Sequence, residues 1–200
     1  AIRSIFAKGT NLFAATIENI FFSSNNGNNW VSVSKGLPAI TGSSAIQFAA
    51  IGDTLYAGID ENGVFASVNN GATWTDISLG LPDREVKSIT TIGTNLFAAT
   101  YNNISLTTDN GATWTQTTWA KISNSNGIFD PTRLIRKDTV IYVQTREGKL
   151  YSTIDKGATW QREHVGLSNI PTYTFFTSGE NIFAGTDNGI YLSTNKGESW

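Results

Sequence analysis

The chain has no cysteine, no methionine and a single histidine, His164, among its 200 residues. Without cysteine it forms no disulfide and offers no thiolate metal ligand or thiol nucleophile. A lone histidine argues against a catalytic triad and against a histidine-rich metal site. Because a start methionine is also missing, we expect the chain to derive from a longer precursor, with a removed signal peptide as the simplest explanation.

Charged residues are also scarce, at 15% of the chain, and the formal net charge is −2. No run of basic residues occurs, so we expect no nucleic-acid partner. No apolar run approaches the ~18 residues of a membrane span, so we expect no membrane insertion. No glycine-rich phosphate loop is present, and the sequence predicts neither a cofactor nor a bound metal.

One eight-residue pattern, Ser/Thr-x-Asp/Asn-x-Gly-x-x-Trp, occurs five times. Its defining residues are Ser23, Asn25, Gly27, Trp30; Ser67, Asn69, Gly71, Trp74; Thr107, Asp109, Gly111, Trp114; Thr153, Asp155, Gly157, Trp160; and Ser193, Asn195, Gly197, Trp200. The tryptophans are 44, 40, 46 and 40 residues apart. A period of this length is typical of solenoids, propellers and repeat arrays.

Each unit contains four strand-like segments. In the second unit these are residues 45–51, 55–59, 64–67 and 74–78, rich in Ile, Val, Phe, Tyr and Thr and separated by Gly, Asn and Pro. Four-stranded meanders repeated at about 40 residues are the blades of a β-propeller. The sequence therefore predicts an all-β propeller of four-stranded antiparallel blades, with units at about 1–38, 39–82, 83–125, 126–168 and 169–200 in a single domain.

The last of these units is predicted to be incomplete. The chain begins at an inner strand and stops at Trp200, where the outermost strand of the fifth unit would begin. Propellers have 4–8 blades, and an unpaired blade edge invites aggregation. We therefore expect residues 1–200 to be part of a larger ring rather than a ring closed by five units.

The repeated pattern falls between the third and fourth strands of each unit and is predicted to form a hairpin loop. Its Ser, Thr, Asn and Asp side chains can hydrogen-bond backbone groups two or three residues away, and its glycine is expected at positive φ. We expect each tryptophan to pin the loop to its blade, with Trp74 and Trp114 largely buried. Calcium binding through Asp109 and Asp155 is the alternative, but the other three copies carry Asn and lack the charge.

These five copies resemble the Asp-box, or bacterial neuraminidase repeat, found in the propellers of sialidases, xyloglucanases, sortilin-type receptors and exported bacterial proteins. The resemblance covers the whole chain. It implies that the pattern is structural and lies away from any active site. It also implies a secreted or cell-surface bacterial protein, with a periplasmic location open, but no single activity, because such propellers host unrelated functions.

The opposite end of each meander carries the variable loops, where binding is usually built. We expect a non-catalytic binding or scaffold module that recognises a protein or glycan there. The candidate contact residues are Arg84, Tyr101, Trp119, Asp130, Arg133 and Arg146. Residues 119–133 depart from the repeat template, and they form either a recognition loop or a packed segment with Trp119 and Phe129 in the core.

A glycoside hydrolase is the alternative function. It would need two carboxyl groups about 5–10 Å apart, and the candidates are Asp60, Glu61, Asp130 and Glu147. Sialidases with this repeat also use three arginines, for which Arg84, Arg133 and Arg146 are available. Their Arg-Ile-Pro motif is absent, because Ser4-Ile5 follows Arg3.

Overall fold

The computed structural model describes residues 1–39, 46–101, 103–119, 130–163, 166–167, 170 and 172–200. Phe129, His164 and most of the long segment after Trp119 lie outside these ranges. The strands are β1 Ile2–Lys8, β2 Asn11–Thr16, β3 Ile20–Ser23, β4 Val31–Ser32, β5 Ile46–Ile51, β6 Thr54–Ile59, β7 Gly63–Ser67, β8 Thr75–Asp76, β9 Ser88–Ile92, β10 Asn95–Thr100, β11 Asn103–Thr107, β12 Thr115–Gln116, β13 Pro131–Lys137, β14 Val140–Thr145, β15 Leu150–Thr153, β16 Gln161–Glu163, β17 Thr172–Ser178, β18 Asn181–Thr186 and β19 Gly189–Ser193.

These strands form antiparallel meanders in sequence order, which we number as blades 1 to 5. Blades 1 to 4 have four strands, and the described part of blade 5 has three, β17 to β19. This confirms the predicted β-propeller of four-stranded blades. We call the end of a blade that carries its first and third hairpin turns the turn end. The opposite end, where strands two and three join and the chain passes to the next blade, is the loop end.

The outermost strands are shorter than the sequence predicts. In blade 2 the fourth strand covers only Thr75–Asp76, whereas the sequence pattern extends over residues 74–78. The backbone N–H of Trp74 donates to the carbonyl of Lys35 at 2.9 Å, in the preceding blade, and so takes no part in its own sheet. The start of this outer segment is thus bonded to the preceding blade, whereas the N–H of Ile77, just beyond the strand, donates to Val64 of its own blade at 2.9 Å.

The chain forms two compact units, one of which comprises Ala1–Tyr101 and Ser105–Thr115, while the other consists mainly of Gln116–Trp200. Within each unit the apolar core lies between successive blades. Phe13 of blade 1 packs with Phe48 of blade 2, Tyr56 of blade 2 packs with Ile89 of blade 3, and Tyr142 of blade 4 packs with Phe175 of blade 5. We call the face of a blade directed at the next one its forward face and the other its backward face.

We call the eight-residue pattern the repeat turn, and in blades 2 and 3 its tryptophan binds the preceding blade. The indole Nε1–H of Trp74 donates to the carbonyl of Val33 at 2.8 Å, and that of Trp114 to the carbonyl of Ile77 at 2.7 Å. Each acceptor lies three residues after the tryptophan of the previous blade. These two residues therefore also join neighbouring blades, a contact that the sequence did not predict.

The glycine of the repeat turn makes room for the same contact. Gly111 has φ +92°, and a Cβ built on it would lie 2.6 Å from the Cδ1 atom of Ile77 in blade 2. At Gly157 a Cβ would lie 2.6 Å from the Cγ2 atom of Thr117 in blade 3. Glycine is thus required both for its backbone conformation and for the close approach of the preceding outer strand.

A tyrosine on the second strand of some blades adds a polar contact to the repeat turn of the next. The hydroxyl of Tyr56 donates to Oδ1 of Asn110 at 2.7 Å, and that of Tyr142 donates to the carbonyl of Lys196 at 2.8 Å. Phe13 occupies the equivalent position in blade 1 and offers only an apolar ring, which is fully buried. Blade junctions of the same design thus differ in polarity.

Burial of the tryptophans follows from their contacts. Trp74 is buried, as expected, with 5% of its surface exposed, whereas Trp114 is only partly buried. Trp30 is 39% exposed, and its indole N–H donates within its own turn, to the carbonyl of Gly27. The tryptophan of the repeat turn is therefore expected to contribute differently to stability from blade to blade.

We predict that Trp74→Ala lowers the free energy of unfolding by ~3–5 kcal/mol, the range for loss of a buried aromatic side chain. The matched control Trp30→Ala removes an exposed side chain and should cost less than ~2 kcal/mol. Urea denaturation of both variants, followed by circular dichroism, checks the difference. Equal destabilisation by the two substitutions would contradict the interblade role of Trp74.

We also predict that Gly111→Ala is more destabilising than Gly93→Ala. Gly93 has φ +56°, and no atom lies within 4 Å of the position that an alanine Cβ would take, so alanine there meets only the left-handed backbone cost of about 1–2 kcal/mol. Alanine at Gly111 adds a clash with Ile77 and should cost roughly 1–3 kcal/mol more. Thermal and urea unfolding of the pair measure this difference, and a smaller loss in Gly111→Ala would count against the clash.

Candidate binding site

The polar side chains of the repeat turn form hydrogen bonds within the turn itself. In blade 2 the hydroxyl of Ser67 accepts a hydrogen bond from the N–H of Gly71 at 2.8 Å and donates to Oδ1 of Asn69 at 2.9 Å. The same Oδ1 accepts from the N–H of Thr73 at 2.9 Å. The corresponding hydroxyl–to–glycine bond is present in all five turns. The turn is therefore a closed hydrogen-bonded structure.

The two aspartate copies follow the same scheme with a charged acceptor. Asp109 accepts hydrogen bonds from the hydroxyl of Thr113 at 2.6 Å, from the N–H of Thr113 at 2.9 Å and from the hydroxyl of Thr107 at 2.7 Å. These donors, the Thr113 hydroxyl foremost, lower the pKa of Asp109 from 3.8 to about 2. The Thr159 hydroxyl is likewise the main reason that the pKa of Asp155 falls to about 2.

This arrangement does not favour the calcium alternative for Asp109 and Asp155. Both oxygens of each carboxylate accept hydrogen bonds from threonine groups within the turn. Across the described ranges, no group of three or more His, Asp or Glu side chains is placed to hold a metal ion. Calcium prefers six to eight oxygen ligands, so these turns lack the donor set.

At the loop end of the first unit, Arg84 and Lys87 are held by ion pairs. Arg84 donates to Oδ2 of Asp76 at 2.7 Å and to the carbonyl of Asn62 at 2.7 Å. Lys87 pairs with Asp60 at 3.1 Å and with Glu85 at 2.5 Å. Burial alone would lower the pKa of Lys87, but its hydrogen bonds to Glu85 and Asp60 raise it. Tyr101, in the same unit, is 41% exposed.

In the second unit the loop end presents two arginines, one of which is anchored by Asp130. The Nε of Arg146 lies 3.1 Å from Oδ2 of Asp130. The Arg146 side chain is 65% exposed, whereas that of Asp130 is 11% exposed. The backbone N–H of Arg146 also donates to the carbonyl of Asp130 at 2.9 Å. Asp130, the more buried of the two side chains, therefore orients Arg146 and is not itself exposed for contact with a partner.

Arg133 is the second arginine of this surface. It follows an irregularity in the pairing of β13 with β14, between Pro131 and Arg133, and its side chain is exposed. Nη1 of Arg133 donates to the hydroxyl of Thr174 in blade 5 at 2.8 Å. A neutral partner fixes the guanidinium and leaves its positive charge available to a ligand.

Sequence reasoning missed a tyrosine in blade 5. Tyr173 sits in a register irregularity of β17, between Thr172 and Thr174, and is 65% exposed. Its hydroxyl donates to Oδ1 of Asp187 at 2.6 Å, a bond that raises the pKa of Tyr173. Bulges of this kind re-aim side chains.

Trp119 does not lie on this surface. It is fully buried and packs edge-on against Tyr151 and Trp160, with ring centroids 5.1 and 5.3 Å apart. Of the two interpretations considered for residues 119–133, this placement favours core packing for the tryptophan. Phe129 belongs to the part of the segment that is not described.

The four carboxylates considered for hydrolysis are not equivalent. Asp60 is paired with Lys87 and Asp130 with Arg146, while Glu61 and Glu147 lie on exposed loops. Asp60 and Glu61 belong to the first unit, and Asp130 and Glu147 to the second. Two of the four are thus already paired with a cation.

Within the described residues, no helix has the length and apolar character needed to cross a membrane.

The two turn aspartates predict a dependence of stability on pH. Their folded-state pKa of about 2 lies below the ordinary value of 3.8, so the unfolded state binds more protons between these values. Stability should be fully present above pH ~4 and should fall as the pH drops toward 2. The double variant Asp109→Asn/Asp155→Asn should lose less stability than wild type across this window in urea titrations.

The reverse substitution provides the control for this prediction. Asn69 has Thr73 where Asp109 has Thr113, and it already bonds that threonine at 2.9 Å. Asn69→Asp should therefore steepen the loss of stability below about pH 4. An unchanged pH dependence in both variants would show that the turn carboxylates have ordinary pKa values in the folded protein.

Solved structures with this architecture span several kinds of protein. YCF48 bound to D1 peptide matches with a TM-score of 0.75 and 14% identity, over 96% of this chain and 64% of that one. An extracellular domain of a putative one component system from B. thetaiotaomicron matches with a TM-score of 0.71 and 19% identity, over 98% and 26%. The GH74 xyloglucanase from Xanthomonas campestris matches with a TM-score of 0.66 and 14% identity, over 96% and 30%.

These identities show a common fold and nothing more specific. The chain spans 64% of the length of the first of these structures and 26% of the second. No curated protein matched the sequence. The model of the DUF6242 β-propeller domain matches residues 1–199, and the chain belongs to that family.

Proposed function

We propose that this propeller is a binding module that recognises a protein or glycan partner through the loop end of blades 4 and 5. The contact surface comprises Arg133, Arg146 and Tyr173, with Asp130, Thr174 and Asp187 as the groups that orient them. The observation that carries the proposal is the pair of arginines, each exposed and each held by a side chain of the protein.

Such an arrangement suits a ligand that bears carboxylates. An anchored guanidinium has already lost much of its rotamer freedom, so less entropy is lost when a ligand binds. Arginine pairs with a carboxylate through two parallel hydrogen bonds, and the exposed ring of Tyr173 adds apolar contact. Acidic peptide segments and uronic or sialic acid residues of glycans both present this chemistry.

The repeat turn contributes to the scaffold in this proposal. Its sequence and its closed hydrogen bonding are those expected of an Asp-box, and we propose that identity for it. We also propose an extracellular or cell-surface location for the parent protein. The match to an extracellular domain from B. thetaiotaomicron supports that location.

A glycoside hydrolase is the less favoured function. Asp60 and Asp130 are each committed to an ion pair with a cation, whereas a hydrolase needs one carboxyl group that is protonated and can act as a general acid. The likeness to a GH74 xyloglucanase, at 14% identity, is a likeness of fold.

We predict that the protein binds acidic members of a peptide array or a glycan array, and that Arg133→Ala/Arg146→Ala weakens this binding about tenfold or more, or roughly 1.4 kcal/mol. The matched control is Arg136→Ala. Arg136 lies on the same strand toward the turn end, where its Nε donates to the carbonyl of Asp138.

Two outcomes would count against the proposal. Equal loss of binding in the control and in the double variant would indicate a nonspecific charge effect. Retained binding in the double variant would remove the loop end of blades 4 and 5 as the contact surface. Isothermal titration with the selected peptide or oligosaccharide gives the affinities for all three proteins.

A further inference from the structure

A hollow lies on the forward face of blade 2 at its turn end, where the repeat turn of blade 3 meets it. Its volume is about 260 Å³, and all of its lining belongs to the first compact unit. The lining residues are Thr54, Ala66, Val68, Thr73, Thr75 and Asn110. Pockets for drug-sized ligands have about 300–1,000 Å³, so this turn-end hollow suits a smaller molecule, of the size of one sugar ring.

The carboxamide of Asn110 is held in place by a buried tyrosine. Tyr56 is fully buried, and its hydroxyl donates to Oδ1 of Asn110 at 2.7 Å. Burial raises the pKa of Tyr56, so the hydroxyl stays protonated and acts as the donor. Since Oδ1 is the atom engaged, the Nδ2 group of Asn110 keeps two N–H donors for a ligand. A side chain of the core thus orients an exposed amide in the hollow.

The rest of the lining combines hydroxyl and methyl groups. The Nδ2 group of Asn69 donates to Oγ1 of Thr73 at 2.9 Å, which fixes that hydroxyl and leaves its proton for a ligand. Thr75 lies opposite Ala66 in the sheet and is exposed. Val68 is 76% exposed and adds aliphatic surface. None of the six lining side chains is charged.

Two other blade junctions lack the oriented amide. Tyr142 of blade 4 donates to the backbone carbonyl of Lys196 and not to a side chain. In blade 1 the position of the tyrosine is taken by Phe13, and the turn residue that corresponds to Asn110 is Asn70 of blade 2. Of these three junctions, a tyrosine hydroxyl orients a turn asparagine only between blades 2 and 3. The oriented amide is therefore a feature of this junction and not of the repeat as such.

We propose that the turn-end hollow binds one ring of a neutral saccharide. A pyranose carries hydroxyl groups around its edge and C–H groups on its faces, which matches a lining of polar donors beside methyl groups. The N–H donors of Asn110 and the hydroxyl of Thr73 bond the ring hydroxyl oxygens, while Ala66 and Val68 contact the C–H groups. The lining offers no cation to a carboxylate, so the hollow differs in its ligand from the arginine surface of blades 4 and 5.

The test is a titration of the ¹⁵N-labelled protein with the methyl glycosides of glucose, galactose, mannose and N-acetylglucosamine, followed by NMR. The side-chain amide signals of Asn110 report directly on the hollow. At least one glycoside should shift them, with a Kd of about 1 mM, because a single ring makes few contacts. Methyl glucuronide, which carries a carboxylate, should bind more weakly than methyl glucoside.

Two substitutions remove the oriented amide. Asn110→Lys introduces the residue that blade 5 carries at the same turn position, at φ +60°, so the turn accommodates it. This variant should weaken binding about tenfold or more. Tyr56→Phe keeps the buried ring and removes the hydroxyl that orients the amide, and it should weaken binding about two- to tenfold. Circular dichroism and thermal melting show whether the variants are folded.

Asn70→Lys is the matched control, because it makes the same change in the repeat turn of blade 2, outside the lining of the hollow. It should bind the glycoside as wild type does. Arg133→Ala/Arg146→Ala should do so too, which separates this site from the arginine surface.

Three outcomes would overturn the proposal. One is that none of the neutral glycosides shifts the signals of the lining residues. Another is that Asn110→Lys and Tyr56→Phe bind as tightly as wild type, or that Asn70→Lys loses as much affinity as they do. The third is that methyl glucuronide binds as tightly as the neutral glycosides, since the lining would then not select against charge.

Discussion

In the first three blades the structure depends on one interaction that crosses from a blade to the one before it. The indole N–H of Trp74 or Trp114 donates to a backbone carbonyl of the preceding outer strand. Those outer strands are only two residues long. The glycine of the repeat turn brings the neighbouring backbone close enough for the bond, and the tryptophan ring covers it from solvent. Blades 2 and 3 therefore each help to hold the outer edge of the blade before them.

The two ends of a blade differ in how their polar groups are paired. At the turn end, hydroxyl, amide and carboxylate groups are paired with one another, as in the closed bonding around Ser67 and Asn69. At the loop end, Asp130 and Thr174 hold Arg146 and Arg133 without covering them. Because the polar groups of the turn end are already hydrogen-bonded, the scaffold can carry exposed, oriented charge at the loop end. Variation in the loops can then change what this end presents without disturbing the blades.

Much of the fold was predictable because its signals are local and periodic. The Ser/Thr, Asp/Asn, Gly and Trp positions indicated a hairpin turn, and the positive φ of the repeat-turn glycines agrees with that prediction. The partner of each tryptophan was not predictable, since Val33 and Trp74 are 41 residues apart. The same limit applies to the candidate site. Arg133 and Arg146 were identified from their position in the repeat, whereas the burial of Trp119 depends on aromatic contacts with blade 4 that no local pattern encodes.

The direction of the tryptophan contact also bears on how such a chain lengthens over evolutionary time. A unit of about 40 residues carries one donor in its turn and one acceptor three residues beyond its tryptophan. When a gene segment encoding a unit like blade 2 is duplicated in frame, each copy still meets an acceptor before it and a donor after it. In-frame duplication at this period therefore reproduces this kind of junction without a change to its donor or its acceptor.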